Sequence, residues 1–438
     1  MSGRAKLPLA VTVEITSLTA DGFGEGCVEG RRVRLRNALP GETVEGQLFK
    51  RRKGYWLGEA GRIVGAPSTA RVPAPCPVAA RCGGCGFQHV ADEQVLAAKA
   101  QELRALLDVH EVHVERWLAP VAGPRLGYRR KARLGVRRVG EKVFVGFREA
   151  LSGRVVDMTD CAVLDPRLAA LVAPLREVLG RTSIAGLIPQ VELAAGDRSC
   201  AIVIRHLTAF SSEDLVLLTN FAVARNVAVY LQGGGEDSVA QLAGPRAPLG
   251  YANPDFGLHF EFQPLDFVQV NAAINRRLVR SAVMALAGTR RVADLFCGMG
   301  NFSLPLARSG IAVAGVEAGG NAVDRARHNA VHNALADKVD FSVADLYEPD
   351  CVPAAVTAAD ALLLDPPRTG AGANLPAWLH AGVERVVYVS CNPVTFAADA
   401  AVLAAAGFQL AQAGVYDMFP QTAHVETLGV FRRVRGAG

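Results

Sequence analysis

Four acidic residues, Asp294, Glu317, Asp345 and Asp365, fall at the ends of successive apolar runs in the C-terminal half of the chain. The runs are Arg291-Val-Ala-Asp-Leu-Phe296, Ile311 to Glu317, Val339 to Val343, Ala361 to Asp365 and, after them, Val386 to Ser390. Helix-spaced stretches separate them. Parallel strands need a crossover long enough to hold a helix, so this alternation predicts a parallel sheet with helices on both faces. A final pair of runs, Gly414-Val-Tyr-Asp417 and His424 to Phe431, predicts a closing hairpin that adds an antiparallel edge. Ligands of such sheets bind outside the carboxyl ends of the strands, which is where the four acids stand.

The first run leads into a glycine loop, Asp294-Leu-Phe-Cys-Gly298-Met-Gly300-Asn301, whose glycines let the backbone come close to a ligand. Glu317, ending the next run, is placed to accept hydrogen bonds from two ribose hydroxyls. A nicotinamide dehydrogenase begins in the same way. Its third glycine, however, falls here at Ser303, and the turn Asp365-Pro-Pro-Arg368 is atypical of it. The pattern therefore predicts a pocket for S-adenosylmethionine (SAM). Cys297, inside the loop, reads as a small buried residue.

Val386-Val-Tyr-Val-Ser-Cys-Asn-Pro393 places Cys391 at a strand end, and Glu426 follows in His424-Val-Glu426. Alone, Cys391 reads as a buried thiol and Glu426 as a surface strand residue. Beside a methyl donor they acquire a joint meaning. Carbon 5 of a pyrimidine is too weak a nucleophile to take a methyl group until a thiolate adds at C6, and a base must then remove the C5 proton so that the thiolate can leave. An amino methyltransferase accounts for the Asp-Pro-Pro turn without needing Cys391. An RNA-binding or assembly factor without catalysis is a third reading.

The rest of the chain is organised differently. At 438 residues it exceeds a single core, which stops growing at roughly 250 to 300 residues. Alternating runs at Val11 to Ile15, Arg32 to Arg36, Thr43 to Leu48 and Trp56 to Ala60, separated by glycines, predict a small OB-like β-barrel. Residues 1–75 hold twelve Lys and Arg against seven Asp and Glu, which accounts for the whole net charge of +5. A second basic island, Arg125 to Arg148, carries nine basic residues and one acid. Two such islands suggest a polyanionic partner. Asp92 to Asp108 has helical spacing with Asp92 as N-cap; Arg133 to about Phe262 reads as α+β with helices near Arg167 to Leu179 and Ser212 to Ala224; Gln263 to Ala287 reads as a helix.

Cys76, Cys82 and Cys85, with the distant Cys161, offer four thiolates. That set suits a tetrahedral zinc or an iron-sulfur cubane, and spacing does not choose between them. The C-x3-C-x2-C pattern of radical SAM enzymes is missing. No apolar run is long enough to span a bilayer and the N-terminus lacks a signal-peptide pattern, so a soluble cytoplasmic protein is expected.

Ser390-Cys-Asn-Pro393, Asp365-Pro-Pro-Arg368, Asp417-Met-Phe-Pro-Gln-Thr-Ala-His-Val-Glu426 and Asp294-Leu-Phe-Cys-Gly-Met-Gly-Asn-Phe302 closely resemble the motifs of the RNA uracil-C5 methyltransferases. The resemblance runs over nearly the full chain. It implies a Rossmann-like SAM-dependent methyltransferase domain (residues 93–124 and 263–438), an N-terminal TRAM barrel that binds RNA (1–72) and a central α+β iron-sulfur domain (73–92 and 125–262). It further implies Cys391 as nucleophile, Glu426 as base, Gln269, Phe296, Asn301, Glu317, Asp345 and Asp365 around SAM, and a [4Fe-4S] cluster on Cys76, Cys82, Cys85 and Cys161. At position 345 some relatives carry an amide. The tRNA-modifying branch is expected to lack the barrel and the cysteines, which favours 23S rRNA as partner. A monomer without an obligate protein partner is expected.

Overall fold

The computed structural model describes residues 7–434. Strands β1 (Leu9–Leu18), β2 (Phe23–Val28), β3 (Arg31–Arg36), β4 (Thr43–Arg52) and β5 (Tyr55–Val64) form a closed barrel in the order β1-β2-β3-β5-β4. Alternation turns Val13, Ile15, Val33, Leu35, Val44 and Leu48 into its core and leaves the intervening charges outside. β2 was not legible in the sequence, because Phe-Gly-Glu-Gly-Cys-Val has too few apolar residues to alternate. Its glycines are steric: a Cβ on Gly26 would lie 2.3 Å from the Glu14 carbonyl oxygen of β1.

Helix α1 (Asp92–Val109) and strand β6 (Val114–Trp117) come next. Asp92 is the first helical residue and not the cap; the capping position is Ala91, and the Asp92 carboxylate pairs with Arg125 at 2.8 Å. Then β7 (Lys131–Val139), β8 (Lys142–Gly146), α2 (Pro166–Gly180), β9 (Gln190–Ala195), β10 (Cys200–Arg205), α3 (Ser212–Ala224), β11 (Ala228–Gln232) and β12 (Val239–Ala243) build a six-stranded sheet in the order β12-β11-β10-β9-β7-β8. Both helices start where local chemistry dictates. Asp165 caps α2 through the Arg167 N–H ahead of Pro166, and Ser211 and Asp214 form a capping box on α3. A hairpin of β13 (Leu249–Asn253) and β14 (Leu258–Phe262) follows.

The last part comprises α4 (Ala272–Ala285), β15 (Arg291–Leu295), α5 (Ser303–Arg308), β16 (Ala312–Glu317), α6 (Gly320–His332), β17 (Val339–Val343), α7 (Ala354–Thr357), β18 (Ala361–Leu364), α8 (Leu375–Trp378), β19 (Arg385–Ser390), α9 (Pro393–Ala405), β20 (Phe408–Tyr416) and β21 (Glu426–Arg433). Its eight-stranded sheet has the order β17-β16-β15-β18-β19-β21-β20-β6, with the first five strands parallel. Strand order reverses between β15 and β18, so a crevice opens at their carboxyl ends. Leu362, Leu363, Leu364, Val386 and Val387 are fully buried, as strands covered on both faces must be.

Two expectations need correction. The closing hairpin is not the sheet edge: β21 inserts between β19 and β20, and β6, from far upstream, pairs in parallel outside β20. Four residues with no distinctive pattern gave no notice of this. Nor is Gln263 to Ala287 one helix. Only Ala272–Ala285 is helical, because Asn271 caps it by accepting from the Ile274 N–H and Pro264 disfavours helix before it.

Candidate active site

The crevice is a cleft of about 900 Å³, and Gln269, Phe296, Asn301, Glu317, Asp345, Asp365, Cys391 and Glu426 all line it. The glycine loop after β15 turns back sharply, with Phe296 at φ 65°, Gly298 at 54° and Gly300 at 88°. A left-handed phenylalanine costs roughly 1–3 kcal/mol and persists only where its surroundings hold it. Here the ring sits against Tyr347 (5.7 Å between centroids) and Trp378 (6.2 Å). Glu317 accepts from the Gly298 N–H at 3.2 Å and the Gly319 N–H at 3.1 Å, which fixes its carboxylate at the cleft wall. Asn301 exchanges two amide hydrogen bonds with Asn275 (2.9 and 3.0 Å) and accepts from the Tyr251 hydroxyl at 3.3 Å. Sequence reasoning missed Asn275 and Tyr251. One lies inside a helical pattern, the other in a hairpin, and neither carries a motif.

The corner of the cleft that holds Cys391 and Glu426 is set by strand register. β19 and β21 run antiparallel with Ser390 opposite Thr427, so one further step brings Cys391 level with Glu426. Glu426 is 3% exposed, and its Oε2 is buried without a hydrogen-bond partner. Burial, and then the neighbouring Asp365, pushes its carboxyl well above the usual range, while Arg368 opposes the shift. Asp365 is raised to about 8 by burial and by Asp294 and Glu317. The Cys391 thiol rises to about 11 through burial and the two carboxyls, again opposed by Arg368. Asn392 fixes the loop beyond the thiol, capping α9 through the Val394 N–H and donating to the Arg368 carbonyl at 2.9 Å. The Arg368 guanidinium lies 3.1 Å from His424 Nε2. A thiol, two carboxyls and one cation thus share one corner of the cleft.

Cys76, Cys82, Cys85 and Cys161 are buried and line one small cavity with Gln88, Phe147 and Met158. Burial pushes the Cys85 thiol up to about 12, and the other three sulfurs add to the shift. Four sulfurs that repel one another as thiolates suit a multiply charged cationic centre, so the donor set fits an iron-sulfur cluster or a zinc ion. The second basic island fares less well. Arg125, Arg130, Arg133, Arg138 and Lys142 pair with Asp92, Asp197, Glu192, Glu141 and Asp157, and Lys131 donates to the Asp266 carbonyl. Acids outside the island pair with four of its nine cations, so it is a poorer phosphate surface than its composition promised.

The family model described as tRNA (Uracil-5-)-methyltransferase matches residues 254–344 and 355–434, the stretch that carries this cleft. The 23S rRNA (uracil(1939)-C(5))-methyltransferase RlmD of Dechloromonas aromatica is 42% identical over 95% of this chain and 98% of its own. The protein of the same name from Methylococcus capsulatus is 42% identical over 97% of each chain. The chain belongs to the RNA uracil-C5 methyltransferase family. Among solved structures, Pyrococcus abyssi tRNA (uracil-54, C5)-methyltransferase in complex with S-adenosyl-L-homocysteine superposes with a TM-score of 0.73 at 22% identity, covering 96% of this chain and 100% of that one. This match shares the fold, and it corrects one expectation. Coverage that high includes the barrel, so the barrel does not separate the family's rRNA branch from its tRNA branch.

Proposed function

We propose that this protein uses SAM to methylate C5 of a specific uridine in 23S rRNA, with Cys391 as nucleophile and Glu426 as general base. The reading is supported above all by the register that sets Cys391 level with Glu426 in the cleft, together with 42% identity to an RlmD protein over 95% of the chain. Gln269, Phe296, Asn301, Glu317, Asp345 and Asp365 would hold the donor: Glu317 and Asp345 offer carboxylates to hydroxyls, and Phe296 offers a ring face. When bound, the donor supplies an electrophilic methyl group.

The chain's own residues do the rest. Cys391 loses its proton to solvent water, and the thiolate sulfur bonds to C6 of the uracil, moving the C5–C6 π electron pair toward C5 and the O4 carbonyl. The carbon that takes the methyl group is thereby made nucleophilic. Glu426, as carboxylate, then removes the C5 proton; that electron pair re-forms the C5–C6 double bond and the C6–S bond breaks, returning the thiolate. Arg368 favours the charged forms of both groups.

In the same reading the barrel (1–72) is a TRAM-type RNA-binding module, residues 73–92 and 125–262 form the central domain with a [4Fe-4S] cluster on its four cysteines, and 93–124 with 263–438 form the catalytic domain. The cluster has a structural role and the enzyme works as a cytoplasmic monomer. The target uridine is extruded from the folded RNA into the cleft.

Incubation with unmodified 23S rRNA, unmodified tRNA and labelled SAM, followed by mass mapping, tests the substrate: label in 5-methyluridine of the rRNA is expected. RNA containing 5-fluorouridine tests the mechanism, because fluorine does not leave as a proton does. It should trap a covalent complex with the wild type and none with Cys391→Ala. Label in tRNA alone overturns the substrate, and trapping by Cys391→Ala overturns the nucleophile.

A further inference from the structure

Where helix α6 crosses strand β14, metal-ligating side chains converge outside the cleft. His259 and Glu261 are two apart on the strand, and His328 and His332 are four apart on the helix, so each pair shares one side of its element. Donor atoms of His259, Glu261 and His332 all lie within 4.8 Å of one another. His328 Nε2 lies 2.7 Å from Glu261 Oε2, and the His259 and His332 rings are 5.4 Å apart at their centroids. Three of the chain's nine histidines meet here, and methyl transfer uses none of them.

The backbone beneath these side chains is locked. Asn329 accepts from the Glu261 N–H at 2.9 Å and donates to its carbonyl at 3.2 Å. Asn333 does the same for His259, at 2.9 and 2.7 Å. Two buried amides, one on the helix and one at its C-terminal cap, thus pair with the strand edge much as another strand would, and they fix the register of the histidines against one another. Such an arrangement spends none of a ligand's binding energy on ordering the main chain.

We propose that His259, Glu261 and His332 bind a divalent transition-metal ion of the zinc class, with His328 holding the Glu261 carboxylate from outside. Two imidazoles and one carboxylate with a water in the fourth position is a known donor set for zinc, and imidazole disfavours magnesium and calcium. Bond lengths of about 2.0–2.2 Å place donors roughly 3.3–3.6 Å apart in a tetrahedron, so the side chains must draw in by about 1 Å. His259 and His332 are exposed and can rotate to do so. A ligating carboxylate that is hydrogen-bonded in turn by an outer group, as Glu261 is by His328, follows the outer-sphere pattern of metal sites. The ion would staple β14 to α6. The strand runs on into the segment carrying Gln269, and the helix begins at Gly320, both at the cleft wall.

Equilibrium dialysis of the purified, iron-loaded full-length protein against micromolar zinc tests this, with zinc and iron counted together by mass spectrometry so that the four-cysteine site is followed separately. Wild type is expected to retain one more zinc per chain than His259→Ala/His332→Ala, with at least about tenfold weaker binding in His332→Ala. Zinc should raise the melting temperature of the wild type and of His113→Ala, an exposed histidine elsewhere, but not of the double variant. Equal zinc in wild type and double variant, or zinc gained only as iron is lost, overturns the proposal.

Discussion

Glu426 is the residue whose surroundings make least sense without a bound ring. A carboxyl 3% exposed with one oxygen lacking any partner costs free energy that a structural glutamate would recover by hydrogen bonding. Changing Glu426→Gln keeps the shape and removes the base. Turnover should fall by about 10²–10⁴-fold while a covalent complex accumulates on ordinary, unfluorinated rRNA, visible as a retarded band on a denaturing gel. Normal turnover with no complex would remove Glu426 from proton transfer. Cys391 carries a pH prediction. A thiol raised to about 11 is largely protonated near neutrality, and its ionised fraction grows about tenfold per pH unit below that value. Adduct formation on 5-fluorouridine RNA should therefore accelerate from about pH 7 to 9, with a slope near one on a logarithmic plot. A flat profile would place the proton's departure inside the complex, before the sulfur attacks.

At the scale of elements, the segment between β20 and β21 matters most, because it ends on Glu426. It is held from α1: the Lys99 ammonium, 4% exposed, pairs with Asp417 at 2.7 Å and donates to the carbonyls of Phe419 (3.1 Å) and His424 (2.9 Å). Lys99→Met would leave Asp417 buried without its partner, a loss of about 3–5 kcal/mol when one member of a buried ion pair is removed. Urea denaturation is the measurement. Methyl transfer should drop further than SAM binding, since the donor half of the cleft does not touch this segment. In the barrel, β5 carries Trp56, whose ring centroid lies 5.2 Å from the Arg31 guanidinium and 4.9 Å from that of Arg51. In the RNA-binding reading proposed for the barrel, that ring would serve as a stacking platform for a base. Trp56→Ala should weaken binding of an rRNA fragment by about 1–3 kcal/mol in a filter or anisotropy assay and leave SAM affinity unchanged.

Across the whole molecule, three parts meet at the cysteine loop. Arg36, buried in the barrel wall, donates to the carbonyls of Ala79 and Cys82 at 2.9 Å and of Cys85 at 3.1 Å, and the Gly86 N–H donates to the Gln421 carbonyl at 2.8 Å in the segment that leads to Glu426. Arg36→Met removes the first tie without touching a cysteine. With the cluster proposed above, iron per chain is expected to fall on dialysis while the far-ultraviolet circular dichroism of the whole protein persists; unchanged iron would show that the loop holds its shape unaided. The alternating runs and the acid at each strand end made the parallel sheet and a cleft at its strand ends readable from the sequence, because hydrophobic periodicity and strand-end chemistry are local properties. Tertiary structure alone decided which strands are neighbours. Whether Cys391 faces Glu426 depends on β21 inserting beside β19, and whether Arg125 to Arg148 is a cationic surface depends on acids up to tens of residues away. Register and charge pairing are relations between distant segments, and no window along one chain contains both partners.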